Sequence, residues 1–268
     1  MSEDVALHPV EVDLLCTFAE VQPPFPLTIP DTGLSEPERA VMFRAAREQL
    51  ARRGLADEDG PLGQADEFAH LLRFGDGVLD LVVAEEKTTV AAVVLHYRGD
   101  ALIAVQRAAD PSGTVVLRQA TLDRAVDELC AIVPRLDPAS ATPFTLPRKA
   151  LQAAFEALLA DLPTEDGVRP RKLPPRVVEE ILAVHGVDDR VSRRMVQYLQ
   201  PVLGNGQAGV ARRSGPGDDW HRCGDETRWL DTGNGRYQLG GDEDWTSVNP
   251  LSGAEIRAAL RKLAAALR

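Results

Sequence analysis

A chain of 268 residues, 44% of them hydrophobic, has ample material for a buried core in one large or two small domains. Its formal charge of −11 and pI near 5.0 argue against a nucleic-acid partner, because no basic patch is available to displace phosphate counterions. No run approaches a membrane span, the acidic start MSEDVALHP is unlike a signal or transit sequence, and Cys16, Cys130 and Cys223 are odd in number without CxxC spacing. These features predict a cytoplasmic protein with no membrane segment, disulfide framework or thiolate metal site.

His8-Pro9 opens the first predicted helix, with Val12, Leu15 and Phe18 or Ala19 as its apolar face, and Pro23-Pro24-Phe25-Pro26 cannot continue it. Leu27-Thr28-Ile29 reads as a short extended segment turned by Asp31-Thr32-Gly33. Ser35-Glu36-Pro37-Glu38 is a capping box with an early proline and predicts a helix to about Arg53, ended by Gly54 as a left-handed cap with Leu55 beside it. A shorter helix near Gln64 to Phe74 leads into VLDLVVA, TVAAVVLHY, ALIAVQRA and TVVLRQ, β runs separated by plausible reversals between Gly77 and Gln119. Thr121 then caps a helix striped by Leu122, Ala125, Val126, Leu129, Ile132 and Val133, which Pro134 stops.

Pro134, Pro138, Pro143 and Pro147 mark a connector. Leu151, Phe155, Leu158 and Leu159 form the next helix stripe, Thr164 to Lys172 read as an exposed loop, and Pro174-Pro175 start a helix carrying Val178, Ile181 and Leu182 that Gly186 ends. Asp188 caps another, with Val191, Met195 and Leu199 inward. Strands are expected at Gly206 to Arg213 and Thr227 to Asp231, with Arg212 to Glu226 as a mobile loop between them. The tail doubles back at Asn234-Gly235 and again at Gly240-Gly241, runs through Trp245 and Val248 to Pro250, and ends in an amphipathic helix. Ser252 and Glu255 make its capping box, Leu251 and Ile256 its staple, and Ile256, Leu260, Leu263 and Leu267 its stripe. Helices, an antiparallel meander and a closing helix thus occur twice. The expected fold is α+β, a single domain over 1–268 built of two pseudo-symmetric halves, about 1–137 and 138–268.

Few constellations suggest chemistry. Gly204 to Gly209 matches GxGxxG, but a helix precedes it and a strand follows, the reverse of what a dinucleotide phosphate requires. Asp31-Thr32-Gly33 and Asp231-Thr232-Gly233 resemble the triplets of aspartic proteases, whose carboxylates share a proton, yet both sit where turn chemistry accounts for them. Trp220-His221-Arg222-Cys223 offers an imidazole and a thiol without enough ligands for zinc, and reads as a solvated loop. No serine occupies a GxSxG elbow that could use His70, His96 or His185.

Asp231-Thr232, Gly235-Arg236-Tyr237, Trp245, Val248 and Pro250 before a final amphipathic helix resemble the C-terminal signature of the EspG family, cytosolic chaperones of type VII (ESX) secretion. Glu11, Asp13 and Leu14, then Pro24-Phe25-Pro26-Leu27, Glu38-Arg39 and Arg53-Gly54-Leu55 are similar to its opening, in the same order. The resemblance implies a pseudo-twofold α+β fold and a client, the PPE-like subunit of a PE/PPE-like secreted heterodimer, bound at its apolar tip by sheet and C-terminal helical surfaces. It further implies a non-enzymatic, ATP-independent chaperone without cofactors, free as a monomer or weak homodimer. Apolar residues near the second meander and the preceding helix, Leu199, Val202, Leu203, Val210 and Trp229, are expected to be exposed as the contact surface. The competing expectation is an acidic hydrolase using Asp31 and Asp231.

Overall fold

The computed structural model describes residues 4–160 and 172–268. The predicted loop at Thr164 to Lys172, apart from Lys172 itself, and the side chain of Leu159 lie outside the described residues.

In chain order the elements are β1 (Val5–Leu7), α1 (Pro9–Phe18), α2 (Glu36–Arg52), α3 (Gln64–Phe74), a meander of β2 (Gly77–Glu85), β3 (Thr89–Tyr97), β4 (Asp100–Arg107) and β5 (Val115–Thr121), and α4 (Leu122–Ile132). The same order then repeats as β6 (Phe144–Pro147), α5 (Arg148–Ala160), α6 (Pro175–Val184), α7 (Asp189–Tyr198), a meander of β7 (Val202–Arg212), β8 (His221–Thr232), β9 (Gly235–Gly241) and β10 (Trp245–Pro250), and α8 (Gly253–Ala265). Among the described residues all ten strands join one antiparallel sheet in the order β1-β5-β4-β3-β2-β7-β8-β9-β10-β6. Read outward from the centre, the two sides of that order are the same. Each short strand pairs with the last strand of its own meander, and the halves meet where β2 lies antiparallel to β7, Leu81 opposite Ala208.

Alternation of side chains along each strand gives the sheet two faces, both buried over much of their area. One face carries α4 and α8 packed together over Leu79, Leu81, Val94, Ile103, Ala208 and Val210. The other carries α1 and α3 over Val93, Leu95, Ala104 and Leu117 in the first half, and α5, α6 and α7 over Phe144, Leu146, Leu230, Tyr237 and Val248 in the second.

Local signals set most boundaries. Ser252 and Glu255 form a reciprocal capping box on α8, Glu255 N–H donating to Ser252 Oγ at 3.2 Å and Ser252 N–H to Glu255 Oε2 at 2.7 Å. Asn234-Gly235 closes the β8–β9 hairpin with Gly235 at φ +109°. The second reversal falls beyond Gly240-Gly241, at Asp242 to Asp244, where Asp242 Oδ1 accepts from Asp244 and Trp245 N–H at 3.0 and 2.8 Å. Leu27 to Ile29 is not a strand, but the side chain of Gln106 acts as one: its Oε1 accepts from Thr28 N–H at 2.7 Å and its Nε2 donates to Thr28 carbonyl oxygen at 3.0 Å.

The loop predicted at Arg212 to Glu226 is confined to residues 213–220, between β7 and β8. β8 starts at His221, and Arg222 reaches back over Gly209 to form an ion pair with Asp80, which is 2% exposed. Burial pushes the Asp80 carboxyl above the ordinary range, an effect that Arg222 partly offsets. A charged pair replaces the apolar alternation by which the strand would have been recognised.

The glycines of the GxGxxG run lie inside β7. Gly206 is required by its neighbour, for a Cβ there would stand 2.1 Å from Cζ2 of Trp229. Gly206→Ala is expected to displace the indole and cost about 1–3 kcal/mol through overpacking, read as a lower urea midpoint and a shifted tryptophan emission.

Candidate partner-binding groove

Of the residues expected to form an exposed contact surface, Leu199, Val210 and Trp229 are only 2%, 1% and 1% exposed. They are not exposed, for a physical reason: Val210 and Trp229 lie on the face of β7 and β8 that α4 and α8 cover, and Leu199 packs into the second-half core, whereas Asn205 and Arg228 on the other face are exposed. Val210 sits opposite Leu79 beneath α8, Trp229 lies over Gly206 on the same face, and Leu199 closes the end of α7 against the second-half core. Val202 and Leu203, at the start of β7, are half-buried and line a groove, to which the largely buried Trp229 also contributes.

That groove, of about 340 Å³, opens where the β2–β3 turn, the beginning of β7 and α5 converge. Ala84, Phe155, Leu158, Val202, Leu203 and Leu239 give it an apolar lining, and Glu85 and Arg228 stand at its polar rim. Phe155 and Leu158 are three apart on α5 and therefore project from one side of the helix. The helical stripe makes them legible as apolar partners of something. That the sheet beneath them is uncovered is a tertiary fact with no local signal, so Phe155, Leu158 and Leu239 were absent from the expected surface.

Groups with reactive potential are dispersed or already committed. Asp31 is exposed in the loop before α2, whereas Asp231 is buried with both carboxylate oxygens held by Arg236, Nε to Oδ1 at 2.6 Å and Nη2 to Oδ2 at 2.7 Å. A carboxylate doubly bound by a guanidinium is not poised to share a proton with another acid. Arg236 also donates to the Pro134 carbonyl at 3.0 Å and lies over the Trp229 ring, so the pair fastens the connector to the sheet. Burial, with Asp13 nearby, pushes the Cys16 thiol up to about 12, and burial also raises that of Cys130. The Cys223 thiol donates to the Val210 carbonyl at 3.6 Å. Among the described residues no group of three or more His, Cys, Asp or Glu could hold a metal ion, and no helix is long and apolar enough to cross a membrane.

The two meanders share one sheet, and an apolar groove opens to solvent beside α5 and the head of β7. The chain belongs to the EspG family, whose family model, ESX-1_EspG, matches residues 8–262. Its structure is similar to that of the Mycobacterium tuberculosis type VII secretion system chaperone EspG5 in complex with a PE25–PPE41 dimer. The TM-score is 0.62 at 12% identity, covering 97% of this chain and 95% of that one. No curated protein is matched by the chain.

Removing the guanidinium strands a buried charge, so Arg236→Met is expected to lower stability by about 3–5 kcal/mol, measured by chemical denaturation. A variant as stable as the parent would show that Asp231 does not depend on Arg236.

Proposed function

We propose that this protein is a cytoplasmic, non-enzymatic chaperone of type VII secretion that binds the apolar tip of a PE/PPE-like heterodimer through its PPE-like subunit and keeps the client soluble until export. The observation that carries the reading is the groove between α5 and the head of β7, an apolar concavity with a charged rim in a family of secretion chaperones. The neighbouring EspG5 structure, solved with a PE25–PPE41 dimer, supports the choice of client. Residues 1–268 act as one unit in this reading, with halves of about 1–137 and 138–268, and the second half supplies most of the lining. Val202 and Leu203 would touch the client. Trp229 would contribute to the lining of the same groove, and Leu199 and Val210 would support the surface from beneath.

Such a client exposes greasy surface that would self-associate, and the chaperone replaces that contact with its own. Binding needs no nucleotide, because covering apolar area is favourable by about 25 cal/mol per Å² before the costs of association are subtracted. An overall charge of −11 keeps the complex itself apart from its copies.

Val202→Asp places a carboxylate in the groove, and Val210→Asp places one in the core. The first is expected to leave the monomer folded and abolish co-elution with a co-expressed PE/PPE-like heterodimer from the same genome on size exclusion. The second is expected to unfold the chain. Undiminished co-elution of Val202→Asp would remove the groove as the contact site.

A further inference from the structure

The two halves match position by position. Counted from the hairpin-closing pairs Tyr97/Asp100 and Thr232/Gly235, Ala104 matches Leu239, Gln106 matches Gly241 and Val115 matches Thr246. Leu7, opposite Val115, therefore matches Leu146, opposite Thr246, and the edge strands align from Asp4 on Pro143 to His8 on Pro147, and onward to Asp13 on Gln152. Gly54 and Gly186, both at φ +71°, end α2 and α6 alike, so Ala45, Ala46 and Gln49 match Val177, Val178 and Ile181.

Two differences between the halves fall at one place. In the second half, prolines bracket β6 and remove two main-chain donors, while Val178 is fully buried and Ile181 packs on the core beside it. In the first half no proline lies between Asp4 and His8, and Ala45 and Gln49 are exposed where the branched residues of α6 are half-buried. The result is a groove of about 550 Å³ between β1 and α2. Ala6, Val10, Met42, Ala45 and Ala46 make it mainly apolar, and Met42, Ala45, Gln49 and Arg53 form one stripe along α2. β1 is the last strand on this side of the sheet and pairs only with β5 among the described residues, so its second edge borders the groove.

Charge marks one end of it. Beyond Glu38, α2 carries Arg39, Arg44, Arg47, Arg52 and Arg53 against Glu48 alone, in a chain of net charge −11. Arg39 is engaged by Asp13, and Arg47 by the carbonyls of Asp57 and Glu58. Arg53 lines the groove with its side chain 40% exposed, 3.5 Å from a Glu11 carboxylate that also accepts from His8 N–H at 2.8 Å. We infer that this groove receives an extended segment of a partner protein, added to β1 as a further antiparallel strand, with apolar side chains at alternate positions toward α2 and a carboxylate at the Arg53 end. Three residues of edge are too few to hold a strand by main-chain bonds alone, so the apolar wall of α2 and the Arg53 guanidinium supply the selectivity. The site lies in the first half, apart from the groove beside α5.

The probe is the synthetic peptide acetyl-ETVTV-amide, whose Glu and two Val side chains share one side of a strand, titrated at millimolar concentration into the isotope-labelled full chain. Saturable amide shifts at Val5, Ala6, Leu7, Ala45 and Gln49 are expected, together with slowed amide exchange in β1. Arg53→Gln, or Gln in place of the peptide's Glu, should weaken binding about tenfold, the loss of one charge-assisted hydrogen bond. Ala45→Trp, at an exposed position, should abolish binding and leave the rest of the spectrum unchanged. Val202→Asp should bind the peptide as the parent does, so this inference and the chaperone reading can fail separately. Absence of saturable shifts overturns the inference, as do shifts that survive Ala45→Trp, equal affinity for the Gln peptide, or shifts in α2 without slowed exchange in β1. Nuclear Overhauser contacts in the free chain between residues 1–3 and Ala45 or Gln49 also overturn it, since the chain itself would then fill the groove.

Discussion

The structure depends on the antiparallel seam between β2 and β7, where two meanders become one sheet. From Gly77 opposite Arg212 to Glu85 opposite Gly204, the register is unbroken. Most of the seam's residues are apolar or glycine, and Asp80 places a buried charge at the middle of it. Its carboxylate is tolerable because Arg222 crosses from β8, and Arg222 can cross because position 209 has no side chain: a Cβ there would stand 2.5 Å from Nη1. Arg222 also lies 5.3 Å from the centre of the Phe25 ring, so one guanidinium ties a strand and a loop of the first half to the second. Joining the meanders at their first strands also sends the sheet's free edges outward to β1 and β6, three and four residues long, the second ending in Pro147. Edges this short, one of them ending in proline, offer little template for unwanted strand pairing.

Symmetry of topology does not extend to the side chains at matched positions. In the first half the chain after α1 folds over the sheet and is held there by Gln106 and Asp13. In the second half the equivalent strand positions are Leu239, Gly241 and Thr246, and the equivalent helix position is Gln152, so the fastening pair is gone. The amide and carboxylate that clamp a chain segment in one half become a glycine and a long neutral amide in the other.

Much of this was legible where residue chemistry is local. Ser35, Thr121, Asp188 and Ser252 each cap the helix expected of them, Gly54 and Gly186 end theirs at positive φ, and the first meander matches its β runs almost residue for residue. What escaped lacked periodicity or depended on distant residues. β1 and β6 are too short for an alternation pattern, and β6 hides among the prolines of the connector. The start of β8, HRCGDE, pairs with a buried charge instead of an apolar neighbour and so imitates a loop. Val210 and Trp229 lie beneath α4 and α8, and an apolar residue in a strand carries no local sign of whether a helix covers its face. Val202 and Leu203 differ from them only in lying where the covering layer stops.

That stopping point also has an energetic meaning. Fully burying a leucine is worth about 1.5–3 kcal/mol, and the second half forgoes part of that at Leu239 while the first half takes its full burial at Ala104 with a smaller side chain. Selection for stability alone would favour a larger side chain under a tight cover and a smaller one where the cover is missing. The arrangement is the reverse, with the bulkier residue on the open side, next to Phe155 and Leu158 on α5. Unspent apolar area of this kind is recovered when a partner supplies the missing cover, which links the groove's incomplete packing directly to its capacity to bind.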